Sequence, residues 1–366
     1  MMYVKTLSTW QLYGLLLLFL LGTSVVFGIA STAKQDAWIT AFISTFLGAA
    51  LLWLYSKLYE THADKNWSGL LMVSFGRFIG SILCVAYVFI FIYSAGRDLR
   101  DIGELTNTFL LPKTPIGITM ALFQILVSYI CYAGVERMGR LAELNVPIIF
   151  IIFLLEVILL VASGTVHLSL LTPVAEEWKP IIKAAIPGNL TVPFAEAFAF
   201  AAFWSKTMAP KGFRKAALLS CATAGLIFII LDILAISTIG PELFARSLFP
   251  LMTTFHLVNF ADFIQNIDPF IVTAFLIGVL FKITIFTYAS CAMISDLWKV
   301  NVKSAVIPVS VIIFLFAFYM TESLISHLFT GHQWVTWVVF MPFYVILPMF
   351  ALLIIKLKKM IGMGES

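Results

Sequence analysis

Apolar runs of about twenty residues recur ten times along this chain, separated by short polar segments in which the charges collect. A helix rises about 1.5 Å per residue, so about 20 apolar residues cross the roughly 30 Å hydrocarbon layer of a bilayer. With 61% of its 366 residues hydrophobic and 11% charged, and a mean hydropathy of +1.02, the chain lies outside the range of soluble globular proteins. A closed barrel would alternate apolar and polar residues, whereas Val146 to Ala162 is apolar all round, so the spans are helices. The first run, Leu12 to Ala30, is long for a signal-peptide core, and no small-residue cleavage pattern follows it. It is expected to be retained.

Hydropathy predicts helices over 10–30, 38–59, 78–99, 115–134, 141–164, 187–204, 216–239, 270–294, 304–321 and 336–356, in a single all-α membrane domain over 1–366. The longest connection, 240–269, mixes apolar and polar residues and suits an amphipathic helix at the interface. Ten crossings put both termini on one side. That side then holds fifteen basic residues: Lys5, Lys57, Lys65, Arg77, Arg137, Arg140, Lys206, Lys211, Arg214, Lys215, Lys299, Lys303, Lys356, Lys358 and Lys359. The other side holds seven (Lys34, Arg97, Arg100, Lys113, Lys179, Lys183 and Arg246), with Lys282 left inside a helix. The positive-inside rule then predicts cytoplasmic termini. Net charge +4 follows from this topology, without a nucleic-acid partner.

Cys84, Cys131, Cys221 and Cys291 all fall in or at the end of apolar runs and are expected to be packed thiols. The five histidines lack metal-ligand spacing, and no GxGxxG, GxxxxGK[ST] or GxSxG pattern occurs. No enzyme chemistry, cofactor or metal site is expected.

Two spans carry helix breakers at corresponding places. The first contains Gly22-Thr23-Ser24 and Gly28; the sixth begins Pro187-Gly188-Asn189 and carries Pro193 before Phe194-Ala195-Glu196. Glycine adds backbone freedom and proline removes a donor, so both interrupt the helical ladder. If the ten spans divide five and five, with repeats over about 10–164 and 187–356, the breaks pair. The expected fold is then an inverted repeat with its solute site at the midplane, where unwound backbone offers free N–H and C=O groups. The alternative is that these glycines only allow close helix packing.

Ionisable side chains inside spans are functional candidates, and this chain has Glu156, Glu196, Asp232 and Lys282 there. A Glu196–Lys282 pair beside the cavity is geometrically possible; the alternative is a purely structural ion pair. Glu156 and Asp232 suit proton relays or permanently neutral carboxyls. The clusters from Arg97 to Asp101 and from Arg137 to Arg140 are expected to be solvated helix ends. Ser94 in the third span and Phe286, Thr287 and Tyr288 in the eighth are further candidates for pocket walls, or else packing. The expected ligand contacts are therefore Gly22, Thr23, Ser94, Pro193, Phe194, Glu196, Lys282 and Phe286.

Several motifs carry a family resemblance over nearly the whole length: Leu21-Gly22-Thr23 followed by Ala37-Trp38-Ile39, Thr114-Pro115-Ile116, Phe194-Ala195-Glu196, Phe249-Pro250-Leu251, and the run from Asp262 to Asp268. In their order and spacing the chain resembles the B subunit of the spore germinant receptors, within the amino acid, polyamine and organocation transporter superfamily. The resemblance implies a LeuT-like fold in the spore inner membrane, sensing a small nutrient such as an amino acid and acting with A and C partner subunits. It also implies a pocket between the first, third, sixth and eighth helices. The chain departs from the family pattern at Asn266 and Asp268, where an Arg-x-Glu pair is common, and at Pro193. A proton- or ion-coupled amino-acid permease is the alternative function, and a membrane scaffold a third.

Overall fold

The computed structural model describes residues 7–28, 30–256, 259–260, 264–265, 268–320 and 330–361. Asp262, Phe263, Asn266 and Ile267 of the motif noted above lie outside them. Among the described residues, eight helices are long and apolar enough to cross a membrane. The two expected spans missing from that set are the first and the sixth, and both are interrupted. The first is Thr9–Leu21 followed by Ser24–Phe27. The sixth runs through Trp178–Lys183, Ala184–Phe194 and Ala195–Ala202.

The breaks have local causes. Gly22 ends the first helix with φ 24° and ψ −126°, and Gly28 takes φ 64°, a region that L side chains rarely adopt. In the sixth span, Ile186 (φ −128°, ψ 122°) and Val192 (φ −115°, ψ 115°) leave the helical region, and each precedes a proline, whose ring disfavours the α conformation one residue back. Leu15, Leu16, Leu17, Leu18, Phe19 and Leu20 are fully buried, as expected for a helix apolar on every side that runs through the middle of a bundle. It is enclosed by the fifth (Val135–Ala162), seventh (Pro210–Ile239) and eighth (Asp268–Trp298) spans. The eighth also packs along the third, Trp67–Phe109, which turns sharply at Gly76 (φ 79°, ψ 171°). Exposed Phe46, Phe78, Phe89, Leu122 and Tyr129 belong to the outer surface of the bundle, which lipid covers in a bilayer.

One expectation changes. The third helix continues to Phe109, so the segment from Arg97 to Asp101 lies within it, with Asp98, Arg100 and Asp101 buried. Part of the compensation is internal: Arg100 pairs with Glu104, one turn on, at 2.6 Å. The long connection forms two short helices, Pro241–Arg246 and Pro250–His256, and a two-residue antiparallel pair in which Asn259 faces Gln265. Leu243 and Leu248 are exposed. Phe244, Phe249, Leu251, Met252 and Phe255 are buried, and Phe249 packs on Phe27 of the first span with ring centroids 5.3 Å apart. The Phe249-Pro250-Leu251 motif thus covers the second half of the first span, where a Cβ on Gly28 would come within 2.6 Å of Pro250.

Outside the spans, Lys34 Nζ donates to Glu242 at 2.6 Å, and this ammonium holds the Glu242 carboxyl below its ordinary value. A depressed carboxyl contributes stability that is complete above its unfolded pKa, about 4.3, and is lost as pH falls through the folded value. Both side chains are about half exposed, at 49% and 61%, so solvent screens the pair heavily. Glu242→Gln is expected to leave the melting temperature at pH 7 unchanged; a fall of several degrees would show the pair to be a structural latch.

Candidate solute-binding site

A cavity of about 810 Å³ opens beside the two breaks, with Thr23, Ser24 and Gly28 of the first span facing Pro187, Gly188, Asn189, Val192 and Glu196 of the sixth. The third span adds Ser94, Arg97, Asp98 and Asp101, the eighth Lys282, and the tenth Thr336 and Trp337. Its volume suits a small solute.

The floor is an ionic cluster drawn from four spans. Lys282 Nζ stands 2.8 Å from Glu196 Oε2 and 3.6 Å from Asp98 Oδ1, and donates to Thr23 Oγ1 at 3.1 Å. The side chains of Lys282, Asp98 and Glu196 are 1%, 8% and 4% exposed, so their charges are compensated by one another far more than by solvent. Lys282 reaches this position because the eighth helix passes directly against the first break. A Cβ on Gly278 would lie 3.0 Å from Gly22 N and 3.1 Å from Gly22 Cα. One turn later the Lys282 stem crosses Gly22, where an added Cβ would meet Lys282 Cδ at 2.6 Å. Two glycines in contact therefore let a lysine fold over a broken helix.

Of the eight expected contacts, Thr23, Ser94, Glu196 and Lys282 line the cavity. Gly22 stands behind the Lys282 stem. The others are displaced by packing. Phe194 is buried against the second span, where an added Cβ on Gly48 would come within 2.5 Å of its ring, and Pro193 is buried beside it. Phe286 is enclosed by Phe19 and Phe91, with centroids at 5.2 and 6.2 Å. Tyr288 packs edge-on against Phe203. Glu156 and Asp232 are buried but do not line the cavity, and neither Glu156 oxygen is hydrogen-bonded among the described residues. Asp98, which lines the cavity, and Gly278, which meets Gly22, were not among the expected contacts. Asp98 was hidden in an apparent helix end, and nothing along one chain tells which glycines meet.

At the end of the bundle that carries Leu7, the passage past the sixth span is closed. Asn66 Oδ1 accepts from Ser205 N at 3.1 Å and Ser205 Oγ at 2.5 Å, and Ser68 Oγ donates to Asp296 Oδ2 at 2.5 Å. Trp204 Nε1 donates to Lys65 O at 2.8 Å while its ring stacks on Tyr59. The opposite end carries exposed Lys179 and Lys183 at the cavity wall. The structure is a pocket closed at one end, with an acidic floor that already contains a cation.

A family model described as spore germination protein matches residues 6–324. Among curated relatives, spore germination protein KB of Bacillus subtilis (strain 168) is 28% identical over 355 residues, covering 96% of this chain and 95% of its own length. The putative spore germination protein YfkT of the same organism is 25% identical, covering 90% of both. Among solved structures, MhsT in complex with L-phenylalanine superposes with a TM-score of 0.67 at 15% identity, over 94% of this chain and 88% of that one. The nucleobase-cation-symport-1 family transporter Mhp1 gives 0.63 at 12% identity, over 89% and 74%. These neighbours establish a LeuT-type transporter fold for the chain.

Proposed function

Because the chain belongs to the spore germination protein family, a membership carried by the match over 6–324, we propose that it is the nutrient-sensing B subunit of a germinant receptor. In this reading it lies in the spore inner membrane with both termini cytoplasmic, binds a small solute in the cavity between the broken spans, and passes the signal to A and C partner subunits. It carries out no enzymatic reaction. The observation that bears most of the weight is the solute-sized cavity at the paired breaks of the first and sixth spans. Binding there would be read as a shift between two arrangements of the bundle. The hydrogen bonds joining Asn66, Ser205, Ser68 and Asp296 tie the far end of the bundle together, an arrangement that a resting sensor and one state of an alternating-access permease share.

The permease alternative draws on the neighbours, one of which is a Na+-coupled sialic acid symporter. The two separate in proteoliposomes. A panel of amino acids, sugars and nucleosides is expected to yield at least one solute that raises the melting temperature, since a ligand bound only by the folded state stabilises it. That same solute, labelled, is expected to show no concentrative uptake by the chain alone. Uptake against a gradient would replace the sensor reading with a permease. Absence of stabilisation by every solute, with and without the partner subunits, would overturn solute binding altogether.

A further inference from the structure

The tenth span meets the rest of the bundle at two distant levels. Thr330–Ile346 runs directly into Leu347–Met360, and Thr336 and Trp337, near its start, line the cavity. Further along, Tyr344 is fully buried, with its hydroxyl 3.2 Å from Ser94 Oγ of the cavity wall. Tyr55 Oη donates to the Tyr344 carbonyl at 2.5 Å, and Tyr87 Oη donates to Phe343 O. About 20 Å beyond Tyr344, at roughly 1.5 Å per residue, Lys358 Nζ donates to Val73 O at 2.7 Å and to Ser74 O at 3.0 Å. Those carbonyls end the short first arm of the third span, residues 67–75, just before the turn at Gly76. The last carbonyls of a helix lack partners within it, and a cation is favourable there, so Lys358 is a cap supplied from another span.

The short arm is also what shuts the closed end of the bundle. Asn66 at its head accepts from Ser205, Ser68 donates to Asp296, and Asn66 Nδ2 donates to the same carboxylate at 3.4 Å. The arm folds back on the remainder of the third span: an added Cβ on Gly80 would lie 3.0 Å from the backbone of Leu71 and Met72, and Cys84 Sγ stands 3.9 Å from Ser68 O. One helix therefore holds the third span on both sides of its bend, at Ser94 after it and at Val73 and Ser74 before it. The bend itself is unbraced, since a Cβ on Gly76 would meet nothing within 4 Å.

Resting on the reading of the cavity as a solute site, we infer that the tenth span is a strut that carries a change in the cavity to the closed end, entering at Tyr344 and leaving through Lys358. A solute against Thr336, Trp337 and Ser94 shifts this helix. Lys358 then leaves the carbonyls of Val73 and Ser74, and the arm that carries Asn66 and Ser68 is freed to swing about Gly76. Cavity and cap thus bias one two-state element, the arm docked or released, which is what coupling between distant sites requires. The step uses no charged side chain of the cavity, so it is independent of the class of solute bound.

Cys84 is fully buried beneath the arm and reports its release without any substitution. The rate at which a polar maleimide labels Cys84 in the purified full-length protein, read by peptide mass, follows the released fraction when docking is fast. Lys358→Met is expected to raise that rate about tenfold, the effect of losing one hydrogen bond to a charged group. Lys358→Arg, which keeps a cationic donor, and Lys359→Met, at an exposed neighbour, are expected to label far more slowly than Lys358→Met. Tyr344→Phe, at the other end of the strut, is expected to raise the rate as well, and the double variant to label no faster than Lys358→Met alone, whereas independent sites would multiply their effects. Multiplied effects, or labelling that Lys358→Met leaves unmoved, would overturn the strut. On the unaltered protein, a mixture of the amino acids, sugars and nucleosides of the panel is expected to speed Cys84 labelling, an arm that stands even if a variant folds poorly. A mixture that raises the melting temperature without altering Cys84 labelling would overturn the inference and leave the cavity as a solute site. A mixture that changes neither would count against the solute reading, and the strut would then stand or fall by the double variant.

Discussion

Lys282→Met is expected to destabilise the folded protein by about 3–5 kcal/mol, the range found when one member of a buried ion pair is removed and its partner stays charged. Methionine preserves the unbranched stem that crosses Gly22, so packing is changed little and the loss reports the charge. Two carboxylates, Glu196 and Asp98, would face each other with no cation between them, and Thr23 Oγ1 would lose the donor that now reaches it at 3.1 Å. With the three ionic side chains no more than 8% exposed, solvent screening removes little of the effect. Chemical denaturation of the protein in detergent reads the change. The double variant Lys282→Met, Glu196→Gln is expected to recover part of it, because removing the second partner removes repulsion that the single variant creates. Equal stability of the single variant and the unaltered protein would mean that cavity water compensates these charges, and that Lys282 is not what fastens the eighth span to the first, third and sixth.

Much of this arrangement was legible because the bilayer makes polarity and helix breaking rare and therefore informative. The ten spans follow from apolar length, and the two interruptions follow from Gly22, Gly28, Pro187 and Pro193, whose backbone chemistry acts whatever surrounds it. Glu196 and Lys282 stood out because an ionisable group within an apolar run needs a partner. Other residues were ambiguous for equally physical reasons. The segment from Arg97 to Asp101 alternates in sign, so along the chain it resembles a solvated helix end, whereas in the fold Asp98 stands beside Lys282 and Arg100 pairs with Glu104 inside the bundle. An aromatic beside a break can face either the cavity or a neighbouring helix. Gly48 settles the matter for Phe194 by leaving a hollow for its ring, and Phe19 and Phe91 settle it for Phe286. Those choices depend on residues more than a hundred positions away, beyond the reach of any local pattern. The Phe249-Pro250-Leu251 segment depends on distant residues in the same way, because Gly28 and Phe27 give Pro250 and Phe249 a dry place to pack.

The close approach of Gly278 to Gly22 leads to the sharpest packing test. In Gly278→Ala the new methyl would lie 3.0 Å from Gly22 N, 3.1 Å from its Cα and 3.3 Å from its O. All three are backbone atoms, so no side-chain rotation can relieve the contact. The eighth helix must move away from the first break, carrying Lys282 with it. Overpacking of this kind costs about 1–3 kcal/mol, but the larger consequence falls on the site, where Thr23, Glu196 and Asp98 would no longer converge on one ammonium. Stabilisation by any solute that binds the unaltered protein is expected to be lost. Gly22→Ala strains the same junction differently. Its methyl meets Lys282 Cδ at 2.6 Å, which a flexible stem can relieve, but also Phe19 O at 2.8 Å, at a φ of +24° that alanine resists. Gly188→Ala provides the contrast within the sixth break, since its methyl would meet nothing within 4 Å and its melting temperature is expected to stay unchanged. If Gly278→Ala melted and bound solute like the unaltered protein, the two helices would have to be separable without consequence, and the glycine contact would not be what positions the ionic floor of the pocket.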